Sequence, residues 1–116
     1  MSEIRIYHNP RCSKSRQTLA LLQERGIEPD VVEYLKQPPS AAELADVINK
    51  LGIAPRQLLR TKEAEFKQAG LDSDALSDDQ IIAAMIEHPK LIERPIVING
   101  NKARIGRPPE DVLEIL

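Results

Sequence analysis

The stretch Ile4-Arg5-Ile6-Tyr7-His8-Asn9-Pro10-Arg11-Cys12-Ser13-Lys14-Ser15-Arg16 decides how this chain folds. Ile4 and Ile6 alternate with polar residues, which predicts a strand over Glu3–His8. Leu19, Leu22 and their neighbours then recur at helical spacing, predicting a helix over Ser13–Arg25 with Gly26 as its stop. Cys12 falls on the turn where that helix begins, among unpaired backbone N–H groups and the positive end of the helix dipole. Both favour a thiolate over a thiol, and the thiolate is the form that attacks electrophiles.

Working outward, Val31, Val32, Tyr34 and Leu35 read as a second strand. Pro38-Pro39 breaks the chain, and Ser40 with Glu43 is a capping box ahead of Leu44, Val47, Ile48 and Leu51, closed by Gly52. Pro55–Arg60 and Glu63–Gly70 read as two short helical pieces. Ser77 with Gln80 is a second capping box, opening a helix with Ile82, Met85 and Ile86 on one face. Ile96-Val97-Ile98, a turn at Asn99-Gly100 and Lys102–Ile105 predict a β-hairpin. Pro108 and Pro109 begin a final helix, with Val112, Leu113 and Leu116 inward. The element order βαβ, helical middle, ββα predicts an α/β protein with a four-stranded mixed sheet. It is read as one domain over 1–116, with its core at about 1–37 and 90–116 and a helical insert at about 38–89.

A chain of 116 residues can bury a single core, and with 3% aromatics that core must be Ile, Leu and Val. A net charge of −2 argues against a nucleic-acid binder, which needs a basic excess to neutralise phosphates. No apolar run is long enough to span a bilayer, and no signal peptide precedes Ile4, so no membrane association is expected. One cysteine cannot form an internal disulfide, and an exposed lone thiol belongs in the reducing cytoplasm.

A lone cysteine also reads as a small buried hydrophobe. Its neighbours argue otherwise. Arg11, Lys14 and Arg16 crowd the helix start, where each cation opposes the macrodipole at a cost of roughly 0.3–1 kcal/mol. That placement makes sense if an anion sits among them. Cys12-Ser13-Lys14-Ser15 is a Cys-x-x-Ser pattern with no resolving cysteine, so an oxidised or adducted Cys12 needs an outside thiol. Glutathione and glutaredoxin are the candidates. Ser15 either donates to the thiolate or is an ordinary first-turn polar residue. His8 either tunes the thiolate or is a strand-end polar residue. A Cys-x5-Arg phosphate loop is ruled out by Thr18. His88 is accounted for by its place at a helix C-terminus, and one cysteine with two separated histidines does not make a metal site.

His8-Asn9-Pro10-Arg11-Cys12-Ser13-Lys14-Ser15-Arg16, Leu58-Leu59-Arg60, His88-Pro89, Arg94-Pro95-Ile96-Val97 and Gly106-Arg107-Pro108 together resemble the glutaredoxin-coupled arsenate reductases of the ArsC family. The resemblance runs from about Ile4 to Leu116. It implies a thioredoxin-like fold with a helical insertion, Cys12 as nucleophile, and Arg60, Arg94 and Arg107 as catalytic residues that bind the arsenate oxyanion. It also puts Pro95 in the role of the cis-proline beside the active cysteine. Arginine suits the task because its planar fork makes paired charge-assisted hydrogen bonds to tetrahedral oxyanions. Thiolate attack on a dianion also needs fixed cations to offset the repulsion. No tightly bound cofactor is implied, and glutathione is a co-substrate. The active turn departs from the Cys-Gly-Thr-Ser of the best characterised arsenate reductases, and Lys14 adds charge beside the thiol. Two other functions are the alternatives. One is a glutathione-dependent thiol transferase acting on another substrate, which a lone thiol at a Cys-x-x-Ser turn fits equally well. The other is a non-enzymatic regulator of the Spx type that binds RNA polymerase, a class in which many members use the Cys-x-x-Cys switch that Ser15 removes.

Overall fold

The computed structural model describes residues 4–68, 70–71 and 75–116. Its described chain divides into two compact units, 1–37 with 94–116, and 38–93. The expectations for Glu3 and Ala69 lie outside the described residues.

The first unit is built on a sheet. Strand β1 (Ile4–Tyr7) leads through helix α1 (Ser13–Glu24) to strand β2 (Asp30–Val32), and strands β3 (Ile96–Asn99) and β4 (Lys102–Ile105) form the hairpin. The order across the sheet is β2-β1-β3-β4, with β1 parallel to β2 and both other pairings antiparallel. This is the mixed α/β sheet expected from the element order, and it has the thioredoxin-like arrangement.

α1 ends in a Schellman motif. Gly26 takes φ of +75°, its N–H donates to the Gln23 carbonyl, and the Ile27 N–H donates to the Leu22 carbonyl. Leu22 packs with Ile6, Val97, Val112 and Ile115 in a cluster flanked by Ile4, Leu19, Leu21 and Ile27. Ile6 and Val97 are cross-strand partners, so the helix covers the centre of the sheet. Leu22 is fully buried, and Leu22→Ala is expected to cost about 2–5 kcal/mol of stability through the cavity it leaves. Urea unfolding monitored by circular dichroism measures this directly, and an unchanged midpoint would remove Leu22 from the core.

Three sequence expectations need correction here. β2 is only three residues long, and Tyr34 and Leu35 are not in it. The Glu33 carbonyl accepts from both Lys36 and Gln37 N–H, which curls the chain out of the ladder. The hairpin turn is Gly100-Asn101 rather than Asn99-Gly100. Asn99 pairs with Lys102, and its side-chain amide donates to the Ile115 carbonyl. Gly100 alone takes positive φ, at +60°, as the first position of a type II′ turn requires. The last element, Pro109–Ile115, is a 3-10 helix, not an α-helix. Its period of three puts Val112 and Ile115 inward, while Leu116 is exposed.

The second unit is helical. It holds α2 (Ala41–Leu51), a 3-10 turn at Pro55–Leu58, α3 (Ala64–Gln68), α4 (Asp78–Glu87) and a 3-10 turn at Pro89–Leu91. Ser40 caps α2 by accepting from the Glu43 N–H, and Ser77 and Gln80 close a reciprocal capping box on α4. Leu44, Val47 and Ile48 of α2 and Ile81, Ile82 and Met85 of α4 are buried, and the two helices pack together. His88 is the residue that ends α4. No helix among the described residues is long and apolar enough to cross a membrane.

Candidate active site

The register of the sheet gathers one set of chain ends. Tyr7 lies opposite Ile96, and Ile96 lies opposite Ile105. One residue beyond those ends come His8, Pro95 and Gly106, and two beyond come Asn9, Arg94 and Arg107. Arg94 and Arg107 are thus neighbours because they stand equally far from the Gly100-Asn101 turn. The Gly106 N–H donates to the Pro95 carbonyl, and Arg107 Nε donates to the Arg94 carbonyl at 2.8 Å. The Arg94–Pro95 and Arg107–Pro108 peptide bonds are both cis.

Gly106 is a place of close approach. A Cβ there would stand 2.6 Å from Thr18 Oγ1 of α1 and 2.9 Å from Pro95 Cγ. The sequence reading took Thr18 only as the residue that excludes a phosphate loop and Gly106 only as part of a family motif, and gave neither a structural role. The signal was present: a buried threonine on the same helical face as Ser15 and Leu22, and a glycine at a strand exit.

The loop before α1 is shaped by Asn9. Its side-chain oxygen accepts from the Arg11 N–H, and its carbonyl accepts from the Cys12 N–H. Arg16 reaches back to donate to the Pro10 carbonyl at 3.0 Å. These bonds set Cys12 as the N-cap residue of α1, in extended backbone conformation. Cys12 is 8% exposed and in no disulfide, and Arg107 Nη2 donates to its sulfur at 3.8 Å. Burial by itself pushes the thiol up. The Ser15 N–H, the Arg94 charge, the Lys14 N–H and the Arg107 charge together outweigh it, and the thiol is lowered below its ordinary value. The first turn of α1 carries no acid to compete for these cations.

His8 and Ser15 form a buried pair, with Ser15 Oγ 2.6 Å from His8 Nδ1. Ser15 Oγ also accepts from the Asn9 N–H. The direction of the Ser15–His8 bond follows the tautomer of the imidazole. Burial, opposed by Glu33 and aided by Arg16, lowers the imidazole below its ordinary value, which disfavours its protonated form. Ser15 therefore acts on the sulfur through its backbone N–H, while its side chain serves His8. Ser15→Ala is expected to cost about 1–3 kcal/mol of stability by orphaning buried polar groups. The same substitution should leave the pH profile of Cys12 alkylation in place. A profile moved upward would show that the hydroxyl itself stabilises the thiolate.

Arg60 belongs to the helical unit. Its N–H donates to the Leu91 carbonyl, and its guanidinium Nη1 lies 2.8 Å from Glu63 Oε1 and 3.4 Å from the Lys90 carbonyl. Glu63 was read from the sequence only as the start of a short helix, with no mark of a role.

A thioredoxin-like sheet that sets one cysteine at a helix start, beside two arginines from a neighbouring hairpin, defines a single-thiol protein equipped to receive an anion. The ArsC family model matches residues 7–115, and the chain belongs to that family. It is 56% identical to a protein of Haemophilus influenzae named arsenate reductase, over 96% of this chain and 97% of that one. It is 55% identical to the protein YfgD of Escherichia coli K12, which carries no assigned activity, over 98% and 97% of the two chains. A solved structure named arsenate reductase from Vibrio cholerae is 55% identical, covers 97% of both chains and superposes with a TM-score of 0.95.

Proposed function

We propose that this protein is an arsenate reductase that draws its electrons from glutathione and glutaredoxin in the cytoplasm. One observation carries the reading: a thiol lowered towards the thiolate, with Arg107 3.8 Å from the sulfur and Arg94 bonded to Arg107 through its carbonyl. The names of the relatives at 50–56% identity supply the substrate. Cys12 is the nucleophile, Arg60, Arg94 and Arg107 hold the oxyanion, and His8 and Ser15 fix the turn that presents the sulfur.

The Cys12 thiolate attacks arsenic(V), an S–As bond forms, and one arsenate oxygen leaves as water after protonation. Arg94 and Arg107 offset the repulsion between thiolate and anion and hold the charge that builds on the remaining oxygens. Glutathione then displaces a second oxygen as water. Glutaredoxin's thiolate attacks the glutathione sulfur, forming a mixed disulfide and leaving the As–S electron pair on arsenic, which falls to the trivalent state. Hydrolysis of the Cys12–As bond releases arsenite and restores the thiol. No resident metal or organic cofactor takes part, because the two electrons come from two diffusible thiols. The lone cysteine and the missing resolving thiol are what make an external donor necessary.

The test is arsenate-dependent turnover in a coupled assay with glutathione, glutaredoxin and a disulfide reductase. Turnover that needs arsenate and both thiols supports the proposal. Disulfide exchange on a small mixed disulfide, with no arsenate dependence, would replace it with a thiol transferase.

A further inference from the structure

We propose that Gly106 is the positioning residue for Arg107, its bare Cα seated against Thr18 of α1 so that the guanidinium reaches the Cys12 sulfur. This rests on the reading of Cys12 as an activated thiol made above, not on the identity of its substrate. Gly26, Gly52, Gly70 and Gly100 take positive φ, and nothing lies within 4 Å of where their Cβ atoms would stand. Gly106 is the reverse case: its φ lies outside the left-handed region, and space alone forbids a side chain. A Cβ would lie 2.6 Å from Thr18 Oγ1, 3.2 Å from Thr18 Cγ2 and 2.9 Å from Pro95 Cγ. The first of these is roughly 1 Å inside ordinary van der Waals separation.

Thr18 has little room to give way. It is fully buried, and its Oγ1 donates to the Lys14 carbonyl at 2.8 Å. Gly106 is tied as well. Its N–H donates to the Pro95 carbonyl, and the Arg107 N–H donates to the Ile105 carbonyl, which makes Gly106 the centre of a three-residue turn. From that turn the Arg107 side chain places Nε on the Arg94 carbonyl and Nη2 3.8 Å from Cys12 Sγ. α1 carries both Thr18 and, as its N-cap, Cys12. The spacing between turn and helix is therefore also the spacing between guanidinium and sulfur. The contact to sulfur is already long, so a further shift of about 1 Å breaks it. The other charged and titratable groups on the elements around the sulfur are Arg94 at the opposite hairpin end, Arg11, Lys14 and Arg16 at the start of α1, and His8 at the end of β1. All but Arg94 lie on the β1–α1 segment, so moving the hairpin end displaces the two arginines and leaves the rest in place.

The experiment follows alkylation of Cys12 by iodoacetamide against pH in Gly106→Ala, Thr18→Ala and the double variant, with circular dichroism to confirm the fold. Gly106→Ala should move the midpoint upward by about 0.5–1 pH unit, a fraction of the roughly 1–3 that a whole neighbouring charge gives. Thr18→Ala removes no charge and should keep the parental midpoint. In the double variant both Thr18 atoms that the new Cβ would meet are gone, leaving only the Pro95 ring to adjust, so most of the shift should be recovered. Gly106→Ala made on Arg107→Ala should add less than half of its own shift, because the charge it displaces is already absent. A folded Gly106→Ala with the parental profile overturns the inference, as does a shifted Thr18→Ala or a fully additive shift on Arg107→Ala. If Gly106→Ala alone does not fold, the double variant decides: parental alkylation supports the seat on Thr18, and a raised midpoint or a failure to fold overturns it. No arsenate enters these measurements, so their failure leaves the proposed function standing, and absence of arsenate turnover leaves this inference standing.

Discussion

Cys12→Ser is expected to show no arsenate-dependent oxidation of glutathione above the enzyme-free rate, a loss of at least about 10³-fold. A serine hydroxyl at this turn would meet the same N–H groups and the same guanidiniums, yet it does not ionise near neutral pH, so no nucleophile is present. The change is nearly isosteric, and the sulfur it removes is not part of the Ile6, Leu22, Val97, Val112, Ile115 cluster. The fold should therefore survive, which circular dichroism can verify alongside the assay. Retained turnover would move the chemistry away from Cys12 and end the proposed mechanism. The substitution also has a pH-dependent effect on stability. The thiol is lowered in the folded chain, so its ionisation adds stability above the pKa of the unfolded thiol, and that stability is lost as the pH falls through the folded value. The gap in stability between parent and variant should accordingly shift in the parent's favour in alkaline solution and shrink in acid.

The second large effect is expected at Arg107. Arg107→Ala should lower kcat/KM for arsenate about 10²–10³-fold, the usual consequence of losing a donor aimed at developing charge. Two separate readings are possible because this side chain contacts both the sulfur and the backbone of Arg94. Its Nη2 stands beside the sulfur and its Nε holds the Arg94 carbonyl. Removing it takes one of the charges that lower the thiol, so the midpoint of Cys12 alkylation by iodoacetamide should move to higher pH. It also loosens the backbone that carries Arg94. Arg107→Lys restores a charge but cannot reproduce the fork, so it should recover part of the alkylation shift and little of the turnover. Alkylation that keeps its parental pH profile in Arg107→Ala would mean that this guanidinium does not act on the thiolate.

The turn that carries Cys12 was legible in the sequence because its signals are local. Alternating isoleucines, an Asn-Pro loop and a helical leucine pattern each act within a few residues, and α1 begins at Ser13 as they require. The capping boxes at Ser40 and Ser77 were legible for the same reason: a side chain satisfies backbone N–H groups two or three residues on. The hairpin was legible as a hairpin but not in its register. Asn-Gly reads as a turn, yet Asn99 is held in the strand by Lys102 across the ladder and by Ile115 from the end of the chain. A one-residue shift of that turn, to Asn99-Gly100, would have placed Ile105, not Arg107, opposite Arg94.

The sequence by itself determined the mixed α/β order and a lone thiol at a helix start crowded by cations. It also carried the arginines and prolines that mark the ArsC family. Only the tertiary structure decided which groups meet. Pairing of β1 with β3 joins segments about ninety residues apart, and the partner of each residue depends on side chains packed from both faces of the sheet. That pairing puts Arg94 and Arg107 beside Cys12. Burial of Ser15 then turns its hydroxyl to His8, and the tie between residues 59–63 and 90–92 gives Arg60 to Glu63. Contacts of this kind follow from register and burial, quantities that no local run of residues contains.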